Sequence, residues 1–110
     1  MSCELPYRQD FPTARTGRTF RNITYAIAGP STLTVVDCVI KNSSGTVALT
    51  LSSSTSGITL TSGDAGAWAF SVDQIDAVSL TSGFYTYEIT LTSSDGTVDD
   101  WFVGEWKIND

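Results

Sequence analysis

Histidine is absent from this chain of 110 residues, and its absence removes a large part of enzyme chemistry. Histidine is the commonest general base, the usual activator of a serine nucleophile and a frequent metal ligand. The sequence also contains no Ser-x-x-Lys pairing and no glycine-rich phosphate loop ahead of a helix. Asp73 and Asp76 form a conceivable carboxylate pair, but helix capping and solvated turn charge are the favoured interpretation. We therefore expect no enzyme, no catalytic residues and no cofactor.

Cysteine, positive charge and long apolar runs are also scarce. Cys3 and Cys38 are too few for a disulfide framework, and Cys38 lies in an apolar run typical of a core residue. No run approaches the roughly 20 apolar residues of a membrane span, and no basic leader precedes an apolar segment at the N-terminus. Lysine and arginine total 6 against 12 acidic residues. The acidic balance argues against nucleic acid and against an anionic membrane surface as partners.

Aspartates cluster near the C-terminus and suggest one alternative, a calcium site. Carboxylate oxygens are suitable calcium ligands. The spacing lacks the glycine and terminal glutamate of an EF-hand loop, and aspartate is a favoured turn residue in its own right. We therefore expect no metal, with calcium as the alternative. The candidate ligands would be Asp64, Asp95, Asp99 and Asp100.

The strongest structural signal is a pair of alternating runs, residues 85–92 and 101–108, joined by a loop containing an Asp-Gly pair. Apolar and polar side chains alternate in both, as in half-buried β-strands. Gly104 falls on an apolar face, which indicates close approach of a neighbouring group. Leu80, Gly83 and Tyr85 form a Leu-x-x-Gly-x-Tyr pattern typical of a tyrosine corner, in which the tyrosine hydroxyl returns to upstream backbone.

Further strand patterns occupy the rest of the chain after about residue 19. About seven short strands at 8 to 12 residue spacing predict an all-β, immunoglobulin-like antiparallel sandwich. Residues 72–80 change to a helical period, so one short helical turn is expected there. Residues 1–18 contain Pro6, Pro12 and Gly17 without periodicity and are predicted as an extended N-terminal arm. The predicted organisation is an arm, 1–18, and a sandwich domain, 19–110.

Two sets of residues are candidate contact residues. Arginine and aromatic side chains, which are enriched at protein interfaces, are interleaved along the arm and just after it. These predicted protein-interaction residues are Tyr7, Arg8, Phe11, Arg15, Arg18 and Arg21. A solvated tail is the alternative interpretation. Trp68 and Trp106 fit the inward pattern, whereas Trp101 is a candidate surface contact for a protein or a glycan.

Four motifs resemble small virion proteins of tailed bacteriophages, in particular the immunoglobulin-like N-terminal domain of phage baseplate upper proteins. They are GAWAFSV (66–72), LTSGFYTYEI (80–89), SDG (94–96) and GEWKI (104–108). The resemblance implies a virion protein assembled in the host cytoplasm. It supplies no catalytic residues, and the chain ends without the coiled coil or fibre that would follow in a baseplate arm.

The preferred interpretation is thus a non-enzymatic structural subunit of a phage virion: an accessory, decoration, tail or baseplate component. It would act through contacts with other virion subunits and form a homo-oligomer. The alternative is a carbohydrate-binding or host-attachment module that uses Trp101, with a glycan as partner.

Overall fold

The structure, a computed structural model, describes residues 7–29 and 31–110. These residues form nine strands in two sheets. The strands are β1 (Tyr7–Arg8), β2 (Ala14–Arg15), β3 (Ile23–Ile27), β4 (Leu33–Lys41), β5 (Val47–Ser52), β6 (Ile58–Asp64), β7 (Ala67–Val72), β8 (Gly83–Ser93) and β9 (Val98–Asn109). The larger sheet has the order β1-β9-β8-β4-β5 with β2 also on β9, and the smaller has the order β3-β7-β6. The predicted all-β sandwich is confirmed.

The alternating runs occupy the middle of the larger sheet, where β8 pairs antiparallel with both β9 and β4. Their inward side chains are almost completely buried, as period-two alternation requires. Along β8 these are Tyr85, Tyr87, Ile89 and Leu91. Trp106 on β9 and Trp68 on β7 are 1% and 2% exposed, so both predicted core tryptophans are confirmed. Cys38 is buried on β4 as a free cysteine, also as predicted.

The predicted helical turn in residues 72–80 is wrong, because the described residues of this segment contain no helix. Val72, Ile75 and Val78 are spaced three apart, which imitates a helical face. The segment is instead extended, and its backbone groups pair with residues 17–20. Phe20 and Ile75 exchange two backbone hydrogen bonds of 2.8 Å, and the N–H of Val78 donates to the carbonyl of Arg18 at 3.0 Å. A distant segment therefore takes the bonds that a helix would have made internally.

The described part of the predicted arm lies along the outer side of β9. Its two short strands run parallel to β9, with Tyr7 beside Phe102 and Ala14 beside Ile108. Between them the N–H of Gln9 donates to the carbonyl of Val103 at 2.9 Å. Residues 7–16 thus cover an edge that would otherwise end the larger sheet. The division at residue 18 stays a prediction, and Pro6 and Cys3 lie outside the described residues.

A hydrogen bond at the start of β8 has the geometry of a tyrosine corner. The hydroxyl of Tyr85 donates to the backbone carbonyl of Thr81 at 2.8 Å, and the Tyr85 side chain is 6% exposed. Gly83 has φ of 152° between them, and Leu80 packs against the core. The corner fixes the position at which the chain enters β8, and hence the register of β8 against β9.

Candidate functional site

Three of the sequence-predicted contact residues meet at one end of the sandwich. Tyr7 and Arg8 lie on β1, beside Phe102 and Val103 of β9, and Trp101 immediately precedes that pairing. The rings of Tyr7 and Trp101 have centroids 6.3 Å apart. We call Tyr7, Arg8 and Trp101 the aromatic surface. It combines the tyrosine, tryptophan and arginine side chains that dominate binding energy in protein interfaces.

A β-bulge positions Trp101. Ile89 pairs with Phe102 and Thr90 with Asp100, so Trp101 is the extra residue of β9 and has no partner on β8. A bulge redirects the side chain that it carries and often lies next to a functional site. Trp101 is half-buried, and its ring packs edge-on against Trp68 of the other sheet with centroids 5.3 Å apart. One part of the indole is therefore fixed by the core while the rest stays accessible.

Tyr7 is the more exposed half of the aromatic pair. Its side chain is 37% exposed, and its ring also lies 5.8 Å from the ring of Phe102. Two aromatic contacts and the pairing of β1 with β9 hold it on the surface rather than leaving it free. An aromatic side chain that is already ordered loses little conformational entropy when a partner covers it.

Arg8 is the cation of this surface. Its guanidinium lies 3.7 Å from a carboxylate oxygen of Asp10 and 3.5 Å from one of Glu105. All three side chains are more than half exposed, so these ion pairs are weak and screened by solvent. Asp10 also accepts a hydrogen bond of 3.0 Å from the backbone N–H of Glu105. Arg8 is thus positioned by two weak ion pairs, which it can exchange for others at a low cost in free energy.

Aspartates make the same end of the sandwich acidic. Asp95 accepts a 2.9 Å hydrogen bond from the N–H of Thr97 in the β8–β9 turn, which lowers the pKa of its carboxyl group. Asp100 accepts a 2.8 Å hydrogen bond from the hydroxyl of Thr90, and Asp99 is exposed. Within the described ranges none of these three carboxylates has a cation within ion-pair distance. Their charge is available to a partner.

The described residues hold no group of three or more histidine, cysteine, aspartate or glutamate side chains that could bind a metal ion. The alternative of a calcium site at the C-terminal aspartates therefore finds no support among them. Asp95 and Asp100 bind their own turn and the neighbouring strand instead, in the manner of ordinary turn and cross-strand residues.

The remaining predicted arm residues are not at the aromatic surface. Phe11 is 6% exposed, stacks on Tyr87 with ring centroids 3.8 Å apart, and so belongs to the core of its own chain. Arg15 pairs with Asn109 at the far end of β9, and Arg18 and Arg21 follow at that same end. The predicted contact residues therefore lie in three places. Phe11 is in the core, Tyr7 and Arg8 are at the aromatic surface, and the remaining arginines are at the opposite end of β9.

An open groove of about 330 Å³ lies between the arm and the segment before β3. Pro12 and Thr13 form one side, and Phe20 and Ile23 line the other, with Arg21 as the one charged lining residue. The groove has no carboxylate, cysteine or second cation, so it offers no acid–base pair, nucleophile or metal ligands. It is a gap between packed segments rather than a chemical site.

Buried ionisable groups in the core are neutral. Burial raises the pKa of Cys38 to about 12, and burial is also the main cause that raises the pKa of Tyr87 to about 12. The pKa of Tyr25 is raised further by burial and by Tyr87. A thiol or phenol that stays protonated at neutral pH is a poor nucleophile. These groups therefore belong to the packing of the sandwich.

No family model matches this chain, and no curated protein matches it. Among solved structures, it is similar to CopC from Methylosinus trichosporium OB3b. The TM-score is 0.51 and the identity 15%, over 88% of this chain and 83% of CopC. At this identity the likeness shows a shared β-sandwich fold and nothing more.

The resemblance to phage virion proteins is therefore wrong. CopC, a structure that this chain resembles, is not a phage protein, and the motifs that carried the resemblance are features of a β-sandwich. Tyrosine corners, Asp-Gly hairpins and alternating strands recur in β-sandwich proteins of unrelated function. The virion role, host attachment and the virion localisation fall with that resemblance, whereas a glycan partner at Trp101 stays a prediction. A homo-oligomer stays a prediction.

Sequence reasoning named Tyr7, Arg8 and Trp101 but did not bring them together, because 93 residues separate Arg8 from Trp101. It assigned the first two to a free arm and the third to a strand face. The signal that could have joined them is Gly104, whose missing side chain marks the arm's path. A Cβ atom at Gly104 would collide with the backbone carbonyl of Gln9, one residue after Arg8.

Proposed function

We propose that this chain is a non-enzymatic protein-binding module that contacts its partner through the aromatic surface. The observation that carries the proposal is the pairing of Tyr7 with Trp101, which places two ordered aromatic side chains and Arg8 on one exposed patch. Such side chains supply large contact area at low entropic cost. No nucleophile, general base or metal-ligand set accompanies them in the described residues, so binding alone is the activity they support.

The partner that suits this surface carries basic residues around an apolar centre. Asp95, Asp99 and Asp100 lie at the same end of the sandwich, and the chain has a net charge of −6. Complementary charge speeds the encounter of two proteins and selects among partners more than it adds affinity. We therefore expect the aromatic pair to supply most of the affinity and the aspartates to select a basic partner.

The test uses the intact chain, immobilised, and a random peptide library as the probe. Selected peptides should be rich in lysine or arginine next to an apolar or aromatic residue. Trp101→Ala and Tyr7→Ala should each weaken their binding about tenfold or more. Phe84→Ala is the matched control, because Phe84 is an aromatic residue with 62% exposure on the larger sheet but away from this end. Its binding should be unchanged.

Three results would count against the proposal: no selected peptide, selection without a basic preference, or equal binding by the Trp101→Ala and Phe84→Ala variants. Trp101→Phe keeps an aromatic ring against Trp68 and should retain most of the binding. If it fails as badly as Trp101→Ala while both remain folded, the ring contact is not the source of the affinity.

A further inference from the structure

Strand β3 is an open edge of the smaller sheet. It is the outermost strand of that sheet, and none of the other described strands pairs with its free side. Its sequence from Ile23 to Ile27 contains no charged residue and no proline, and its pairing with β7 is regular throughout. Proteins usually protect such an edge with a charge, a proline, a bulge or a covering segment, because it offers unpaired backbone groups to another strand.

The other described edges do have such protection. The arm covers β9. The pairing of β5 with β4 is interrupted by a register shift at Lys41, and the pairing of β6 with β7 is interrupted between Leu60 and Ser62. A bulge twists an edge and breaks the regular spacing that a new strand needs. Among the described strands, β3 is thus the one edge that is uncharged, regular and uncovered.

The pairing on both sides of β7 shows which groups of β3 are unpaired. The N–H of Asp73 donates to the carbonyl of Gly57 at 2.8 Å, in the register that pairs Ile58 with Val72. Because hydrogen-bonded pairs alternate in an antiparallel ladder, Ser71 bonds towards β6, and Phe70 and Val72 bond towards β3. Their partners Tyr25 and Ile23 face β7, so Thr24 and Ala26 turn their N–H and C=O groups to the free side.

We propose that two copies of this chain pair antiparallel through β3, about a two-fold axis at Tyr25. Thr24 of one copy then lies opposite Ala26 of the second copy, and Ala26 opposite Thr24. Both pairs have unpaired backbone groups, so the two exchange four backbone hydrogen bonds and join the smaller sheets into one of six strands. This register overlaps the whole length of β3, and an interface of this symmetry uses the same patch on both copies.

The geometry of the edge favours a second copy as the occupant, because the free backbone groups of Thr24 and Ala26 match those of Ala26 and Thr24 on a two-fold-related strand. Two chains with a net charge of −6 repel each other, but the proposed contact strand is neutral. Arg21, an exposed residue two positions before β3, lies at the end of the strand that approaches the Gly29 end of the second copy. The N–H of Gly66 donates to the carbonyl of Gly29 at 2.9 Å, which brings the β6–β7 turn and its exposed Asp64 to that point. We therefore expect Arg21 of each copy to be attracted to the acidic β6–β7 turn of the other copy.

The dimer does not depend on the aromatic surface, since β3 and β9 belong to different sheets. A failed peptide selection would leave this proposal intact, and a monomeric chain would leave the proposed partner binding intact. The two experiments therefore fail separately.

The first experiment is sedimentation equilibrium of the intact chain over a concentration series. The mass should rise from that of one chain towards that of two and no further. Ala26→Lys places a charge at the centre of the interface and should raise the dissociation constant about tenfold or more. Thr50→Lys is the matched control on the exposed face of edge strand β5 and should change it less than twofold. Arg21→Glu should weaken the dimer, and adding Asp64→Lys should restore it.

The second experiment tests the register by disulfide cross-linking between chains. It uses a Cys3→Ser background, and Cys38 is kept because it is buried. Thr24→Cys and Ala26→Cys chains are oxidised separately and as a mixture. A disulfide between chains should form in the mixture and not in either variant alone, since opposed Cα atoms of a hydrogen-bonded pair are about 5.5 Å apart, within disulfide range. A monomer at every concentration, a dimer indifferent to Ala26→Lys, or cross-linking within either single variant would overturn the proposal.

Discussion

Strands β9 and β3 differ in what lies on the side that faces away from the rest of their sheets. β9 is covered by residues 7–16, whose path is opened by a glycine and fixed by Phe11 in the core. β3 is uncharged, regular and uncovered by any other described strand. A sheet edge can be closed by the chain itself or left for another strand, and here one molecule does both. β9 also carries four charged residues, Asp99, Asp100, Glu105 and Lys107, whereas β3 carries none, so the two strands differ in charge as well as in covering.

The largest expected effect tests whether the covering arm is part of the core. Phe11→Ala should lower the free energy of unfolding by about 4 kcal/mol, because a buried aromatic ring is replaced by a cavity. The change also removes the stacking on Tyr87 and the edge contact with Trp106 at 5.7 Å. Denaturant unfolding measures the loss, with the 62% exposed Phe84→Ala as control. Equal, small effects of the two substitutions would mean that β9 is as open as β3.

The next effect tests the space that the arm needs. Gly104→Val should cost about 2 kcal/mol, because its new side chain meets the carbonyl of Gln9 and the ring of Tyr87. Thr86→Val places the same side chain at an exposed position on the neighbouring strand, where it only exchanges a hydroxyl for a methyl group, and it should cost far less. If both variants unfold at the same denaturant concentration, the arm does not need the absence of a side chain at Gly104.

Much of this fold was predictable because alternation of side chains is a local property. The buried faces of β7, β8 and β9 follow from period two alone, and so do the core tryptophans. The predicted helical turn was wrong because the spacing of Val72, Ile75 and Val78 is also local. The backbone partners of Ile75 and Val78 lie more than 50 residues away, at Phe20 and Arg18. Sequence pattern cannot distinguish an internal hydrogen bond from one made with a distant segment.

The candidate site was predictable by residue type but not by place. Arginine and aromatic residues in the arm indicated contacts, yet Phe11 faces the core and Tyr7 faces solvent. The bulge that redirects Trp101 depends on the register of β9 against β8, which one extra residue changes. No short stretch of sequence determines the path of the arm or the register of β9 against β8.

A smaller effect tests the tyrosine corner, which holds the start of β8 independently of the arm. Tyr85→Phe removes the hydroxyl that bonds the carbonyl of Thr81 and should cost about 1 to 2 kcal/mol. Tyr7→Phe removes a hydroxyl from a 37% exposed side chain and is the matched control, with a cost close to zero. If the two losses agree, the corner hydroxyl is replaced by water and does not hold the register.

The smallest expected effect concerns the pH dependence of stability. The chain with Tyr87 and the Tyr87→Phe variant should differ in how much of their free energy of unfolding they lose at alkaline pH. The hydroxyl of Tyr87 donates to the carbonyl of Gln9, and burial raises the pKa of Tyr87 from 10.0 to about 12. The unfolded chain therefore loses this proton before the folded chain does. The stabilisation is complete below pH 10 and declines as the pH rises towards 12.

Tyr87→Phe should reduce this alkaline loss without removing it, because Tyr25 and Cys38 also have raised pKa values through burial. The measurement is denaturant unfolding of both chains at intervals between pH 8 and pH 12. At pH 12 the ionised phenolate has lost the proton it donates to Gln9, so the arm should loosen before β3 and β7 separate. Parallel stability curves for the two chains would mean that Tyr87 ionises as easily in the fold as outside it. The arm would then be held by Phe11 and by its backbone pairing with β9, without a contribution from the phenol.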